Sequence, residues 1–374
     1  MEAKSNDYFI DYSDQLPSYE HFYENVMRKN IACMFGPQLT EQWTCRKEWT
    51  IDGQSIDFDH LVNKYATLPV PVYDCSEKHF NSNPRTEMLF SQYADYWQQQ
   101  QQQQQVIDAN RILYLKDWHL AQDSNCGDFY KIPTYFESDY LNEYCTAKSI
   151  VDFKFTYMGP KGSTTPLHVD VFGSFSWSAN VIGTKRWLMI PDHCVETLKQ
   201  LIGVNNLPHD LYTLPNYEQI IAKVNGFEII QKAGQVLFVP SGYMHQVENI
   251  EHTISINHNW FNACNLDRVY SNLLNALKDV QNEMSDLKNT DEWNETCDRI
   301  LTIHFGMNRS YFMDQIRHIT TNRLLRQSNH FRYKHDIECL AKIYTKILSN
   351  HQFQNKNHED WKNCESLKSL NKLL

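Results

Sequence analysis

The chain has 374 residues, a formal net charge of −10 and a sequence isoelectric point near 5.9. That balance disfavours bulk electrostatic binding to nucleic acid and leaves only a local basic patch as a route to it. Hydrophobic residues make up 41% and aromatics 13%, ample for a packed core, which excludes a largely disordered chain.

The opening MEAKSNDYFIDYSDQ (1–15) is charged and polar, without the apolar stretch of a secretory signal. No run approaches the roughly 18 apolar residues of a membrane-spanning helix. The 10 cysteines form no CxxC pair and no close Cys/His cluster, so they read as reduced thiols of an intracellular protein, not as zinc ligands. A soluble cytoplasmic protein is expected, with nuclear entry left open and no membrane partner. Residues 7–30 read as a short strand or loop leading to a helix, and 36–49 as loop and helix. The eight glutamines at 98–105 cannot bury apolar surface, so a solvated loop or a helix extension of variable length is expected there.

From 111 to 262 the texture changes to short β-branched and aromatic runs between turn signals. Strands are expected in RILYLKDW (111–118), DFKFTYMG (152–159), HVDVF (168–172), SFSWSANVIG (174–183) and KRWLMIP (185–191). They continue in GFEIIQK (226–232), GQVLFVP (234–240) and TISINHNWF (253–261). Many short strands at this spacing point to a sandwich or barrel, and Gly183-Thr184 to a hairpin turn.

After 264 the period becomes helical. Leu266, Val269, Leu273, Leu277, Val280, Met284 and Leu287 recur at steps of three and four, behind Asn265 as candidate N-cap. Further helices are expected around 310–325 and 335–349. The chain thus divides into an N-terminal α/β extension (1–110) carrying the glutamine loop, a β barrel (111–264) and a helical region (265–374). The apolar stripe of that last region would pack on the barrel or on a second subunit.

Two His-x-Asp pairs occur, His168-Val-Asp170 and His358-Glu-Asp360. With 16 histidines and 25 aspartates in 374 residues, random placement gives about one, so the motif alone decides nothing. Context separates the two. Residues two apart on a strand share a face, so His168 and Asp170 can both point into a barrel. On a helix two residues apart face away from each other, and the polar setting NKNHEDWKN marks His358 and Asp360 as surface residues.

A 2-His-1-carboxylate site binds Fe(II) on one face and leaves positions open for substrate and oxygen. Its third ligand belongs on another strand, and His245 in GQVLFVPSGYMHQVEN fits. His252, in an apparent turn, and His258, out of phase with Asn257 and Asn259, are the neighbouring alternatives.

Residues 152–262 resemble the JmjC (jumonji) family of Fe(II)- and 2-oxoglutarate-dependent oxygenases. TPLHVD, GTKRWLMIP, VPSGYMHQVEN and TISINHNW stand in that family's order and spacing. The resemblance implies a double-stranded β-helix (a jelly-roll, cupin-like barrel) with His168, Asp170 and His245 as iron ligands. It also implies that Lys185 pairs with the distal carboxylate of 2-oxoglutarate and that Thr165 and Tyr114 line its pocket. Asn257 and Asn259 would flank co-substrate and metal. One departure is that Ser178 follows Trp177 where small jumonji hydroxylases often have asparagine, with Asn180 two further on. Arg186, on the opposite face of its strand from Lys185, reads as structural or surface.

The implied reaction consumes 2-oxoglutarate and dioxygen, releases succinate and CO2, and hydroxylates a C–H bond. SFSWSANVIGTKRW, VPSGYMHQV and NIEHTISINHNWFN are most similar to one branch of the family. That branch implies a cytoplasmic hydroxylase acting on a lysine of the eukaryotic translation termination (release) factor. The rivals are a histone lysine demethylase, an RNA-modifying oxygenase, and a non-catalytic cupin-like binding scaffold. A homodimer closed by the C-terminal helices is a further expectation.

Overall fold

A computed structural model describes residues 7–77, 82–101, 111–124, 127–203, 207–288, 290, 292–326, 330–353 and 363–373. Its strands are β1 (Phe9–Tyr12), β2 (Ala32–Phe35), β3 (Thr50–Ile51), β4 (Ser55–Ile56), β5 (Pro69–Asp74), β6 (Arg85–Leu89) and β7 (Leu113–Trp118). They continue with β8 (Lys154–Gly159), β9 (Thr164–Val169), β10 (Phe175–Ile182), β11 (Lys185–Ile190), β12 (Phe227–Gln231), β13 (Val236–Val239), β14 (Met244–Asn249) and β15 (Thr253–Trp260). A nine-stranded sheet runs β1-β2-β13-β10-β15-β8-β7-β5-β6, and a four-stranded sheet runs β12-β11-β14-β9. β1, β2, β5 and β6, all from the first hundred residues, are hydrogen-bonded into the large sheet beside the strands that follow.

Alternation explains how the two sheets join. Ala32, Met34, Leu237 and Val239 of the large sheet pack against Trp187, Met189, Ile229 and Val247 of the small one in a single buried cluster. Burying such side chains stabilises the unit by about 1.5–3 kcal/mol each relative to exposure. A mainly β core is therefore present, as its alternating runs require.

Gly183 and Thr184 do not close a hairpin. β10 lies in the large sheet and β11 in the small one, so Gly183 is the corner where the chain changes sheets. Its φ is +83°, and a Cβ there would lie 2.2 Å from the His252 carbonyl oxygen. A hairpin turn and a corner both call for positive φ, so the local signal was the same.

The strand expected at HVDVF sits earlier, at Thr164–Val169, and residues 171–173 form a 3-10 turn in which Phe172 has φ 61°. Asp170 thus follows the strand end. The helix Phe90–Gln101 carries the first four residues of the glutamine run, so these are helical and not loop; the remaining four lie outside the described residues. His358 and Asp360 lie outside them too.

The chain falls into two compact units. The first comprises Met1–Glu137, Phe153–Asp170 and Ser176–His258, and the second Ser138–Asp152, Val171–Phe175 and Asn259–Leu374. Taken by itself, the second is helical, with Tyr140–Lys148, Leu266–Glu283, Trp293–Phe305, Arg309–Leu325, Phe331–Ser349 and Glu365–Leu373. Leu266, Val269, Leu273, Leu277 and Val280 are buried as their spacing requires, whereas Leu287 is exposed. Asn265 precedes the helix Leu266–Glu283 without capping it: its side-chain oxygen accepts from the Asn262 backbone instead. Buried Arg309 is held in a bidentate pair with Asp298.

Candidate metal and co-substrate site

Antiparallel register places the three candidate ligands together. β14 pairs β9 with His245 opposite His168, and β11 pairs β14 with Met189 opposite His245. The His168 and His245 rings are 4.3 Å apart, and His168 Nε2 lies 3.8 Å from Asp170 Oδ1. One ligand atom from each of the three falls within 4.8 Å of the others. Among the described residues no other group of three His, Cys, Asp or Glu side chains could hold an ion.

Backbone and side-chain contacts orient these groups. His168 Nδ1 is 2.8 Å from the Pro166 carbonyl oxygen, and His245 Nδ1 is 3.2 Å from that of Tyr243. Donation from Nδ1 leaves Nε2 with its lone pair free, the tautomer a metal-ligating imidazole needs. Ser176 Oγ donates to Asp170 Oδ2 at 2.7 Å, holding the carboxylate with Oδ1 toward His168. Burial, and then the adjacent His168, pull the His245 imidazole down to about 4, so it is neutral at physiological pH. Two histidines and an aspartate in this arrangement fit a non-haem Fe(II) centre.

Lys185 opens β11, opposite Asn249 of β14 and Gln231 of β12. Its side chain is buried, and its ammonium donates to Ser255 Oγ at 2.6 Å. Asn257 donates to the same oxygen at 3.0 Å. Tyr157 and Trp187 wall the ammonium, with ring centres 5.8 and 5.9 Å from Nζ. Trp187 also lies 5.6 Å from the His245 ring, so one indole joins the lysine to the metal ligands. Lys185 has no ion-pair partner among the described residues, and burial brings its ammonium down to about 7. A buried amine with a single hydroxyl partner has hydrogen-bonding capacity left over.

Tyr114 is buried against Tyr157, ring centres 6.0 Å apart. Gly159 gives it room: a Cβ there would lie 2.4 Å from the Tyr114 ring. Thr165 sits on β9 opposite Val247 and is half-buried. Ser178 Oγ is buried without a hydrogen-bond partner among the described residues, while Asn180 donates to the Gly183 and Gln231 carbonyls and so braces the corner.

Asn259 belongs to the second unit, where its amide donates to Ser174 Oγ at 3.1 Å. His252 accepts from Trp97, and His258 lies against Trp177 and the Tyr130 hydroxyl, so neither joins the ligand group. Arg186 pairs at the surface with Glu248. Sequence reasoning missed Ser176, Ser255, Tyr157 and Trp187. Ser255 and Tyr157 could have been found by stepping two residues along strands already assigned, from Asn257 and Phe155.

Residues 155–260 match the family model described as JmjC domain, hydroxylase. The chain belongs to the JmjC family of 2-oxoglutarate and iron-dependent oxygenases. Its chemistry accordingly runs on iron(II), 2-oxoglutarate and dioxygen. Within the family, it is 40% identical over 324 residues to the Danio rerio 2-oxoglutarate and iron-dependent oxygenase JMJD4, an alignment covering 85% of this chain and 76% of that one. The Arabidopsis thaliana arginine-specific demethylase JMJ20 is 33% identical over 352 residues, 89% of this chain and 75% of its own length. The Caenorhabditis briggsae bifunctional arginine demethylase and lysyl-hydroxylase psr-1 is 26% identical over 264 residues, covering 68% and 62%. No helix among the described residues is long and apolar enough to cross a membrane.

Proposed function

We propose that the protein hydroxylates a lysine side chain of the eukaryotic translation termination factor, in the cytoplasm. One oxygen atom enters a substrate C–H bond and the other enters 2-oxoglutarate, which loses CO2 and leaves as succinate. The observation that carries this reading is the convergence of His168, Asp170 and His245 one indole away from the buried, unpaired Lys185. The first three would hold iron. The chemistry iron supplies when bound is activation of dioxygen.

The chain's own residues do the rest. Lys185 receives the distal carboxylate, a charge-assisted contact strengthened by the dry surroundings of Tyr157 and Trp187. Ser255 and Asn257 set the position of its ammonium, and Thr165 and Tyr114 line the pocket. Asn259, whose amide serves Ser174, is left out of this set. The two packed sheets support a double-stranded β-helix for the catalytic part, residues 111–264.

Incubating the protein with termination factor, Fe(II) and 2-oxoglutarate is expected to add one oxygen to one lysine, read by peptide mass spectrometry. Succinate formation on another substrate, with the termination factor unchanged, overturns the substrate. A second reading, demethylation, draws on the printed activity of the Arabidopsis relative. Formaldehyde release from a methylated peptide, with no retained oxygen, would establish it instead. The exposed Ile303, Leu325 and Phe331 of the helical unit support a homodimer closed through those helices, which light scattering would read as twice the chain mass.

A further inference from the structure

Beside the candidate co-substrate pocket stands an acidic group that the chemistry above does not use. Asp117 occupies a register shift between β7 and β8, where the pairing slips between Leu115 and Trp118. Its φ is 58°, a left-handed conformation uncommon outside glycine. Bulges of this kind re-aim a side chain, and strained residues cluster at functional sites. The strain here aims a carboxylate at two phenols. Tyr157 donates to Asp117 Oδ1 at 2.6 Å, and Tyr73 donates to Oδ2 at 2.9 Å.

Two features make this carboxylate a receptor and not a structural ion pair. Asp117 is part-exposed and has no ion-pair partner among the described residues. Neighbouring Lys116 turns its ammonium over the Tyr73 ring, 4.5 Å from the centre. An ionised carboxylate accepts about four hydrogen bonds, so the two phenols leave roughly two sites open.

Position supplies the second argument. The hydroxyl of Tyr157 lies on Asp117, while its ring faces Lys185 at 5.8 Å. That ring stands between Lys185 and Asp117, neither of which has an ion-pair partner within 4.0 Å among the described residues. Lys185 is thereby left open to a carboxylate, and the Asp117 carboxyl, with Lys116 turned over the Tyr73 ring, to a second cation. Phe155 extends the aromatic surface, 6.3 Å from Tyr157 and 5.0 Å from the His119 ring. Aromatic faces around a carboxylate are a setting that attracts organic cations.

We propose that Asp117, framed by Tyr73 and Tyr157, binds the ammonium of the substrate side chain and thereby holds its methylenes toward the His168–Asp170–His245 face. The proposal rests on the lysine-hydroxylase reading and names how that substrate is selected. An ammonium suits the site better than a guanidinium. An ammonium can use either remaining acceptor site alone, whereas a bidentate guanidinium needs the one left on each oxygen to lie parallel.

The test uses the metal- and 2-oxoglutarate-loaded protein and n-butylammonium, which is a lysine side chain without its backbone. Binding is followed by ligand-observed NMR, with n-butanol as the uncharged control. Wild type is expected to bind the ammonium with a Kd on the order of millimolar and at least tenfold more tightly than the alcohol. Asp117→Asn is expected to remove that preference. With termination factor as substrate, the same variant is expected to raise KM at least tenfold while kcat at saturation moves less than threefold.

Equal binding of ammonium and alcohol by wild type overturns the proposal, and so does an unchanged preference in Asp117→Asn. If the variant does not fold, the wild-type comparison of the two probes decides. If the termination factor is not hydroxylated but n-butylammonium binds through Asp117, the substrate reading fails and the cation site stands.

Discussion

Asp170→Ala is expected to lower iron occupancy and succinate formation by at least about 100-fold at micromolar metal. Asp170 contributes the only carboxylate of the ligand group, and two imidazoles alone bind a divalent ion weakly under such conditions. The loss should appear first in metal content after gel filtration, then in succinate yield. Folding is expected to survive, because Asp170 follows the end of β9 and contributes no ladder hydrogen bond to it.

Ser176→Ala grades the same effect. It keeps all three ligands and removes only the 2.7 Å hydrogen bond that aims the carboxylate. Losing such an orienting partner typically costs 10–100-fold in metal affinity. A non-catalytic scaffold predicts something different: no succinate from wild type, and no change on either substitution. Succinate from wild type that persists in Asp170→Ala would place the metal elsewhere.

These side chains were legible to unequal degrees. His168, Asp170 and His245 were singled out from strand and turn context, and Lys185 only through the order of the family's motifs. Ser176, inside the same stretch, could not be told from any other serine. Its role follows from the chain's bend after Val169, which returns Ser176 Oγ to the Asp170 carboxylate.

Ser255 and Tyr157 were hidden for a related reason. Lys185 and Ser255 are 70 residues apart, and what joins them is how β11 and β15 are placed in two different sheets. Register between distant strands is a tertiary property, set by which apolar faces can be buried together. The N-terminal strands show the same limit. β2 reads as a short apolar run, and only its pairing with β13 shows that it belongs to the large sheet. Gly183 marks a different failure, since the residue was correctly singled out but two backbone paths satisfy the same positive φ.

The second large effect concerns Lys185, where stability and co-substrate binding oppose each other. Its folded-state value of about 7 lies below the ordinary 10.5, with burial as the cause. The unfolded chain therefore holds this proton more tightly than the folded one. The resulting cost to stability is full below about pH 7 and fades as pH rises toward the unfolded value. Lys185→Met removes the buried ammonium and keeps most of the volume. Ser255 Oγ retains the hydrogen bond from Asn257. At pH 6 the variant is expected to be more stable than wild type by about 2–4 kcal/mol, shrinking to near zero by about pH 10.

Co-substrate binding should run the other way. A bound distal carboxylate restores the ammonium, so above pH 7 binding of 2-oxoglutarate takes up a proton. Its Kd is expected to be flat below pH 7 and to rise about tenfold per pH unit above it, the limit for one linked proton. Titration calorimetry in buffers of different ionisation enthalpy reads that proton directly. In Lys185→Met both the proton uptake and most of the affinity should be gone. A pH-independent Kd between 6 and 9 in wild type, or a variant that is less stable at every pH, would show that the ammonium is already satisfied within the fold and is not held in reserve for the co-substrate.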